Sequence, residues 1–322
     1  MQYNKEVCVV GAGHWGNNHI RTLHKLGALG GVVESNHERR IKVKNDYPEI
    51  PVYETITDSI NKEKYKGYVI ATPAKTHFKL AKKVIIHKKH VLVEKPLTLN
   101  IKDAEFLHKL AKINNINLMV GHLLLFHPAI IKIKELLNAG KIGNLQYMYS
   151  NRLNLGKIRE EENVFWSFAP HDISIFQYIN GYYPSKISAH GSTIIQKKIQ
   201  DSTITLFNFP NKVDAHIFVS WLHPFKEHRL VIIGSEGMLS YEDSMIGKPL
   251  KYYNKKFNIK DKSFEKIDGP IEELKYENKM PLEEELKYFL KHLNGLKLKR
   301  ANSLHGVEVV KILENASKII NL

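Results

Sequence analysis

The stretch Val7-Cys8-Val9-Val10-Gly11-Ala12-Gly13-His14-Trp15-Gly16-Asn17-Asn18-His19 decides the fold. Its first four residues are apolar, as in a strand that is covered on both faces, and they run directly into a glycine turn. Gly11, Gly13 and Gly16 have the G-x-G-x-x-G spacing of a dinucleotide-binding turn. The first glycine allows a tight turn, the second lets the backbone approach a pyrophosphate, and the third lets the following helix pack close to the strand. The N–H groups at the start of that helix would then face the anion.

An acidic residue after the next apolar segment indicates which dinucleotide would bind. Residues 28–33 form that segment and Glu34 follows it, roughly 20 residues beyond the glycines, where dinucleotide-binding folds place a carboxylate for the ribose. A carboxylate accepts hydrogen bonds from the ribose hydroxyls and would repel a 2′-phosphate. The sequence therefore favours NAD over NADP, while Arg39 and Arg40 nearby leave NADP open as the alternative.

Composition and charge narrow the class of protein. Of the 322 residues, 43% are hydrophobic and 25% charged, as in a folded globular protein. The net charge of +15 is scattered along the chain rather than gathered in a stripe, so we expect no nucleic acid partner. The single cysteine, Cys8, excludes an internal disulfide. Because no apolar stretch approaches the roughly 20 residues that cross a bilayer and no signal peptide is evident, we expect a cytoplasmic protein without a membrane partner.

Strand and helix patterns alternate as far as residue 122. After the first strand and helix, further patterns follow at 67–71, 77–88, 90–93, 101–114 and 117–120. The alternation predicts an α/β fold, with a Rossmann domain at 1–122 that contains a doubly wound parallel sheet. Ligands of such sheets bind beyond the carboxyl ends of the strands, which is where Thr72-Pro73 and Glu94-Lys95-Pro96 fall.

The remaining residues, 123–322, predict an α+β domain. A helix pattern at about 127–139 precedes a long strand, and a loop at 156–166 then precedes a helix at 170–180. Consecutive strand patterns without helices between them predict a mostly antiparallel open sheet, at 185–192, 202–209, 213–221, 227–234 and 238–242. Helices near 281–294 and 302–320 follow. Since one face of an open sheet needs a cover, we expect this domain to form a homodimer or homotetramer. We also expect it to bind the substrate.

Several motifs together resemble those of one oxidoreductase family. They are the glycine turn, Ala71-Thr72-Pro73 with His77, Glu94-Lys95-Pro96, and Ala169-Pro170-His171-Asp172-Ile173-Ser174. In this combination the chain resembles the glucose–fructose oxidoreductase, inositol dehydrogenase and MocA family (Gfo/Idh/MocA) over essentially its whole length. The resemblance implies an NAD(P)-dependent dehydrogenase that acts on a CH–OH group of a sugar or cyclitol. The implied cofactor contacts are Gly11, Gly13, His14, Trp15, Gly16, Glu34, Thr72, Pro73, His77, Glu94 and Lys95.

The resemblance also implies two catalytic residues, Lys95 and His171. Lys95 resembles the family's lysine that contacts the reacting oxygen, and His171 resembles a histidine on a helix of the second domain. An ammonium and an imidazole supply the two functions that hydride transfer from a carbinol needs, which are charge stabilisation on the oxygen and acceptance of its proton. At the start of the predicted helix, His171 would have a lowered pKa, as a base needs. Many family members have an aspartate where this chain has Ser167.

The other histidines near predicted strand ends offer alternative bases. They are His77, His122 and His127. No pair of them has a spacing typical of metal ligands, so no metal site is predicted.

The segment 151–172 resembles a narrower branch of the family, associated with nucleotide-sugar 3-dehydrogenases such as those acting on UDP-N-acetylglucosaminuronate. The likeness implies hydride transfer at C3 of a nucleotide sugar, in the synthesis of polysaccharide precursors. Arg152 and Lys157 would bind the charged groups of this substrate and Trp166 would stack on it, beside Lys95 and His171. Two alternatives stay open, a ketosugar reductase that runs in the opposite direction and a non-catalytic regulator that senses NAD or a sugar.

Overall fold

The computed structural model describes residues 4–260 and 263–320. These residues form two compact units, the first from the residues up to Phe126 with Met280–Lys311 and the second from His127–Lys279 with the residues from Ile312 onward. The first unit thus contains a later segment of the chain in addition to the residues before the predicted boundary at 122. This segment packs there through apolar side chains: a Cβ added at Gly67 would lie 2.6 Å from Leu293 and 3.1 Å from Phe289.

The first unit contains the predicted doubly wound parallel sheet. Its strands are β1 (Val7–Val10), β2 (Leu29–Val33), β3 (Val52–Tyr53), β4 (Gly67–Ile70), β5 (His90–Glu94) and β6 (Leu118–Gly121). They lie in the order β3-β2-β1-β4-β5-β6, and each neighbouring pair is parallel. From β1 the chain adds β2 and β3 on one side and then β4, β5 and β6 on the other, so the strand order switches between β1 and β4. Ligands of such sheets bind in the crevice at that switch.

Helices connect these strands. They are α1 (His14–Lys25), α2 (His37–Asp46), α3 (Ile56–Ile60), α4 (His77–Ile86) and α5 (Ile101–Ile113). Polar side chains cap several of them; for example, the Asn36 side chain accepts a hydrogen bond from the Arg39 N–H at the start of α2. The short α3 was not predicted, because five residues are too few to show a helical period.

The second unit contains a mixed sheet of eight strands. Its strands are β7 (Leu145–Leu155), β8 (Lys186–Ser192), β9 (Ser202–Asn208), β10 (Asp214–Ser220), β11 (Leu222–Gly234), β12 (Met238–Glu242), β13 (Leu250–Lys260) and β14 (Ser263–Leu274). They lie in the order β14-β13-β12-β11-β7-β10-β9-β8, and every pair except β7 with β10 is antiparallel. The prediction of a mostly antiparallel sheet is confirmed. The hairpin β13–β14 was missed because its outer strand is largely exposed and lacks a regular alternation of apolar residues.

Two helices of the second unit, α6 (Pro128–Asn138) and α7 (Val164–Asn180), follow the first unit along the chain, and α8 (Pro281–Lys291) and α9 (Ser303–Ile320) come last. The prediction of a loop as far as residue 166 and a helix from 170 was wrong. Helix α7 begins at Val164 because the Asn163 side chain accepts the Trp166 N–H and caps the first turn. Pro170, which suggested a helix start, lies inside the helix. Across 4–260 and 263–320, no helix combines the length and apolar character that a membrane span requires.

Candidate active site

The glycine turn between β1 and α1 has the geometry that a dinucleotide requires. The φ of Gly11 is +97°, and a Cβ there would lie 2.8 Å from the carbonyl oxygen of Ala71. A Cβ at Gly16 would lie 2.0 Å from the carbonyl oxygen of Gly11, so only glycine lets α1 come this close to the turn. Gly13 is different, since the nearest described atom to an added Cβ is Nη1 of Arg39 at 3.9 Å. Its backbone is therefore open to a pyrophosphate.

Glu34 lies directly beside this turn. Its Oε2 accepts the Ala12 N–H at 2.7 Å, its Oε1 accepts the Asn36 N–H at 2.8 Å, and its side chain is buried. Each carboxylate oxygen has a second lone pair, so two ribose hydroxyls can still donate to it. Nη1 of Arg39 lies 3.9 Å from Oε2, whereas Arg40 donates to the carbonyl oxygens of Glu34 and of the next residue. Of the two arginines, Arg39 is thus the one placed to contact a bound cofactor.

A cavity of about 880 Å³ opens beside the glycine turn in the first unit. The start of α1, the end of β2 and the loop after β4 form its walls, at the switch in strand order. Seven of the predicted cofactor contacts line it, namely Gly11, Gly13, His14, Trp15, Glu34, Thr72 and Pro73. Its volume is in the range of cofactor pockets. The open backbone at Gly13 and the carboxylate of Glu34 fit NAD, and these residues would hold its pyrophosphate and its ribose.

The described lining of this cavity does not include His77, another of the predicted cofactor contacts. Its side chain is buried, with Nδ1 2.8 Å from the carbonyl oxygen of Pro96 and Nε2 2.8 Å from that of Thr72. Burial lowers the pKa of His77 despite these two carbonyl groups. Because both ring nitrogens face backbone oxygens, His77 joins the loop after β4 to the loop after β5.

Glu94, at the end of β5, is held inside the first unit rather than at the cavity wall. Its Oε1 accepts hydrogen bonds from Trp15 Nε1 and from His19 Nε2, the latter at 2.7 Å, and its Oε2 accepts the Lys95 N–H at 3.2 Å. Burial alone would raise the pKa of Glu94, but the hydrogen bond and charge of His19, together with Trp15 and Lys95, lower it below its usual value. Glu94 therefore links Trp15, which lines the cavity, to the backbone N–H of Lys95.

Lys95 and His122 lie at neighbouring strand ends of the first unit, after β5 and β6. Lys95 is half-buried. His122 is 1% exposed, and neither of its ring nitrogens has a hydrogen bond within the described residues. Burial, with smaller effects of His305 and Lys95, lowers the pKa of His122 well below its usual value. His122 is therefore neutral near pH 7. It follows β6, which pairs with the strand that Lys95 follows, so it is the alternative base at the neighbouring strand end.

In the second unit, His171 lies in the middle of α7 and not at its start. The helix begins at Val164, so the expected effect of the helix N-terminus on the pKa of His171 does not apply. The side chain is half-buried. Ser167 is buried one turn earlier on the same face of the helix, where many family members have an aspartate.

Arg152 forms an ion pair with Asp172, and its predicted contact with substrate stays a prediction. Its Nε and Nη2 donate to Asp172 at 2.8 and 3.0 Å, and Ser150 Oγ donates to the same carboxylate at 2.6 Å. Asp172 is 2% exposed. Burial alone would lower the pKa of Arg152, but the charge of Asp172 raises it. The pair therefore fastens β7 to α7, the helix that carries His171.

The other two predicted substrate residues differ in exposure. Lys157 is exposed on the loop between β7 and α7, where it remains available to an anion. Trp166 is half-buried, and its Nε1 donates to Ser317 Oγ at 2.8 Å. The indole N–H of Trp166 is thus hydrogen-bonded to α9. Within residues 4–260 and 263–320, no three His, Cys, Asp or Glu side chains are grouped so that they could hold a metal ion.

The fold and this site define a class of protein. Residues 5–122 match the family model described as the oxidoreductase family, NAD-binding Rossmann fold, and residues 130–240 match that of the GFO/IDH/MocA C-terminal domain. The chain therefore belongs to the Gfo/Idh/MocA oxidoreductase family. Its first unit contains the family's NAD-binding domain.

Particular relatives differ in the activity that they carry. UDP-N-acetylglucosamine 3-dehydrogenase of Acidithiobacillus ferrooxidans is 28% identical over 61% of this chain and 60% of its own length. The NAD-dependent scyllo-inositol 2-dehydrogenase of Bacillus subtilis is 25% identical over 74% of each chain. The solved structure of the Acidithiobacillus enzyme superimposes with a TM-score of 0.84 at 21% identity, covering 98% of this chain and 97% of its own. That structural likeness shows the shared fold.

Proposed function

We propose that this protein is an NAD-dependent dehydrogenase that transfers a hydride between nicotinamide and a sugar carbinol, at C3 of a nucleotide sugar. The observation that carries the proposal is Glu94-Lys95-Pro96 at the end of β5, in the same unit as the cavity beside the glycine turn. The 3-dehydrogenase from Acidithiobacillus supports the nucleotide sugar as the substrate class.

Two side chains would handle the reacting oxygen and its proton. Lys95 donates a hydrogen bond to the substrate oxygen and stabilises the negative charge that develops there. His171 takes the hydroxyl proton, directly or through a water molecule, for which its ring must be neutral. Bound NAD supplies the hydride acceptor. Lys157, on its exposed loop, contributes a positive charge to the substrate's phosphates.

A cofactor-reduction screen tests this function. We expect the purified protein to reduce NAD with at least one UDP- or dTDP-linked sugar, and NMR of the product to show a ketone at C3. Reduction of NAD only by free cyclitols, or a ketone at another carbon, would contradict the proposed substrate. A regulator that senses NAD or a sugar would bind without turnover, and a ketosugar reductase would oxidise NADH with the 3-keto sugar far faster than the reverse reaction.

Replacing Glu34 by serine is expected to weaken NAD binding by about a hundredfold, because two ribose hydroxyls lose a charged acceptor and each such hydrogen bond contributes roughly 1.5–3 kcal/mol. NADP should bind at least as tightly as before, since the repulsion of its 2′-phosphate is removed. Isothermal titration calorimetry with both cofactors measures the change. Glu38→Ser, at an exposed position of α2, is the matched control. Unchanged NAD affinity in Glu34→Ser would contradict the ribose contact.

The open face of the second sheet supports a homodimer or homotetramer. Helix α7 contacts β7, β9 and β10 on one face. On β9, Ile204 and Leu206 alternate with the buried Thr203 and Thr205 and are 39% and 48% exposed. Apolar side chains in such a row are stabilised by a cover. Sedimentation velocity should show a dimer or tetramer, which Leu206→Lys weakens; a wild-type monomer at micromolar concentration would contradict this assembly.

The proposal places the enzyme in the cytoplasm, where NAD and nucleotide sugars are dissolved. Cys8 is the single cysteine and is buried in β1 as a free thiol. A free thiol of this kind is usual in reducing compartments.

A further inference from the structure

A fully buried carboxyl group lies on α8, in a run of three glutamates. Glu283 and Glu284 both bind Lys287 near the surface, and Glu283 also binds Lys25 of α1. Glu285 is different: it is 0% exposed, and within the described residues neither of its oxygens has a hydrogen bond. Buried polar groups are nearly always paired, so this carboxyl group calls for a physical explanation.

Helix α8 packs on α1, the helix whose Trp15 and His19 bind Glu94, and the negative charge of Glu94 acts on Glu285 across this interior. Glu94 accepts hydrogen bonds from Trp15, His19 and the Lys95 N–H, all of which favour its ionised form. It is also tightly enclosed, because a Cβ added at Gly121 would lie 3.0 Å from its carboxylate carbon. Glu94 is therefore a fixed negative charge in the interior of the first unit.

A second negative charge in the same interior would be unfavourable. Burial raises the pKa of Glu285 well above its usual value of 4.5, and the negative charge of Glu94 raises it further. The pKa of Glu94 moves in the opposite direction because of its donors. Two buried carboxyl groups with such different surroundings do not ionise together.

We propose that Glu94 and Glu285 form a buried carboxyl pair that holds one proton, located on Glu285. This proton keeps the total charge of the pair, which lies next to Lys95, at −1. From α1 the pair is faced by His19, and from β5 by Lys95. The turn formed by residues 123–126 also packs on α8, and because its four side chains are all apolar it adds no charge there. Glu285 is thus a positioning residue that acts through Glu94.

The effect on Lys95 rests on the proposed function, in which this ammonium contacts the reacting oxygen. When Glu285 is neutral, the Lys95 ammonium is next to one buried carboxylate, that of Glu94. Ionisation of Glu285 at high pH would add a second negative charge and weaken the donation of Lys95 to the substrate oxygen. The proton on Glu285 therefore sets an upper pH limit for turnover.

Infrared spectroscopy of the whole protein tests where the proton lies, and it needs neither NAD nor substrate. We expect a band from the C=O stretch of a protonated carboxyl group near pH 7, when ordinary glutamates are ionised. Glu285→Gln should remove this band, and Glu284→Gln, the matched control in the same helix, should keep it. The absence of the band in the wild type, or its persistence in Glu285→Gln, would overturn the proposal.

The dependence of stability on pH provides a second test. A carboxyl group whose pKa is raised by folding contributes stability that is present below its unfolded value and is lost as the pH rises through its folded value. The melting temperature of Glu285→Gln, relative to that of the wild type, should therefore rise by at least about 2 °C between about pH 5 and pH 8. If the Glu285→Gln variant does not fold, Glu285→Leu should show the same trend. A difference from the wild type that is independent of pH in both variants would contradict a protonated Glu285.

The pH profile of turnover tests the link to Lys95. Glu285→Gln should match the wild-type kcat within about twofold near pH 7, since an amide resembles a neutral acid. Above the pH at which the infrared band titrates, the wild-type rate should fall and that of the variant should not. Profiles that coincide although the band titrates would remove the link to Lys95 and leave the proposed dehydrogenase activity intact.

Discussion

Replacing Lys95 by methionine is expected to lower kcat by about a thousandfold, because one donor aimed at a developing oxyanion contributes about 10²–10³ and proton transfer depends on it. The affinity for NAD should change little, since the residues that fit the pyrophosphate and ribose, Gly13 and Glu34, are untouched. Methionine keeps most of the length of the side chain and removes the ammonium group with its charge. Stopped-flow measurement of NADH formation at saturating substrate gives kcat, and calorimetry gives the affinity for NAD.

The structure also predicts that this variant folds. Glu94 keeps its hydrogen bonds from Trp15 and His19, and its bond from the backbone N–H at position 95 does not depend on the side chain. Lys102→Met, at an exposed position of α5, is the matched control and should retain wild-type kcat. A Lys95→Met enzyme within about tenfold of the wild-type kcat would show that another group stabilises the oxygen.

Replacing Arg152 by methionine is expected to reduce the free energy of unfolding by about 3–5 kcal/mol, the cost of leaving a buried charge without its partner. Asp172 is 2% exposed and would keep only the hydroxyl of Ser150 as a described donor. Urea denaturation followed by circular dichroism measures the loss. Adding Asp172→Asn to this variant should recover most of the stability, because the unpaired charge is then removed.

Arg229 supplies the comparison. It also binds a carboxylate through its Nε, that of Glu242 at 2.8 Å, but its side chain is 44% exposed. Glu242 is also buried, but it keeps the His228 N–H and Ser244 Oγ as donors, so Arg229→Met should reduce stability by no more than about 1 kcal/mol. If Arg152→Met instead keeps wild-type stability and raises the KM for a nucleotide sugar, Arg152 binds substrate as the sequence suggested, and the ion pair with Asp172 is not its main role.

The architecture of the first unit could be predicted from sequence because its determinants are local. The apolar run 7–10, the three glycines and Glu34 all lie within one βαβ unit, and the spacing itself dictates the turn, the helix and the next strand. The same holds for Glu94-Lys95-Pro96, which follows directly on β5.

Other features depend on contacts between distant residues, and the sequence did not show them. The partner of Arg152 is 20 residues away in Asp172, and the cap of α7 is a single asparagine before a helix that contains a proline. The burial of Glu285 does have a signal in the sequence. Glu285 lies three residues after Leu282 and four before Phe289, which places it on the apolar face of α8. Among three consecutive glutamates, only that spacing distinguishes the buried one.

A crystal structure of the protein with NAD tests the central claim most directly. We expect the pyrophosphate against the backbone of Gly13, the adenine-side ribose hydroxyls on Glu34, and the nicotinamide ring within contact distance of Lys95. A cofactor bound outside the cavity beside the glycine turn, or a nicotinamide ring remote from Lys95, would contradict it.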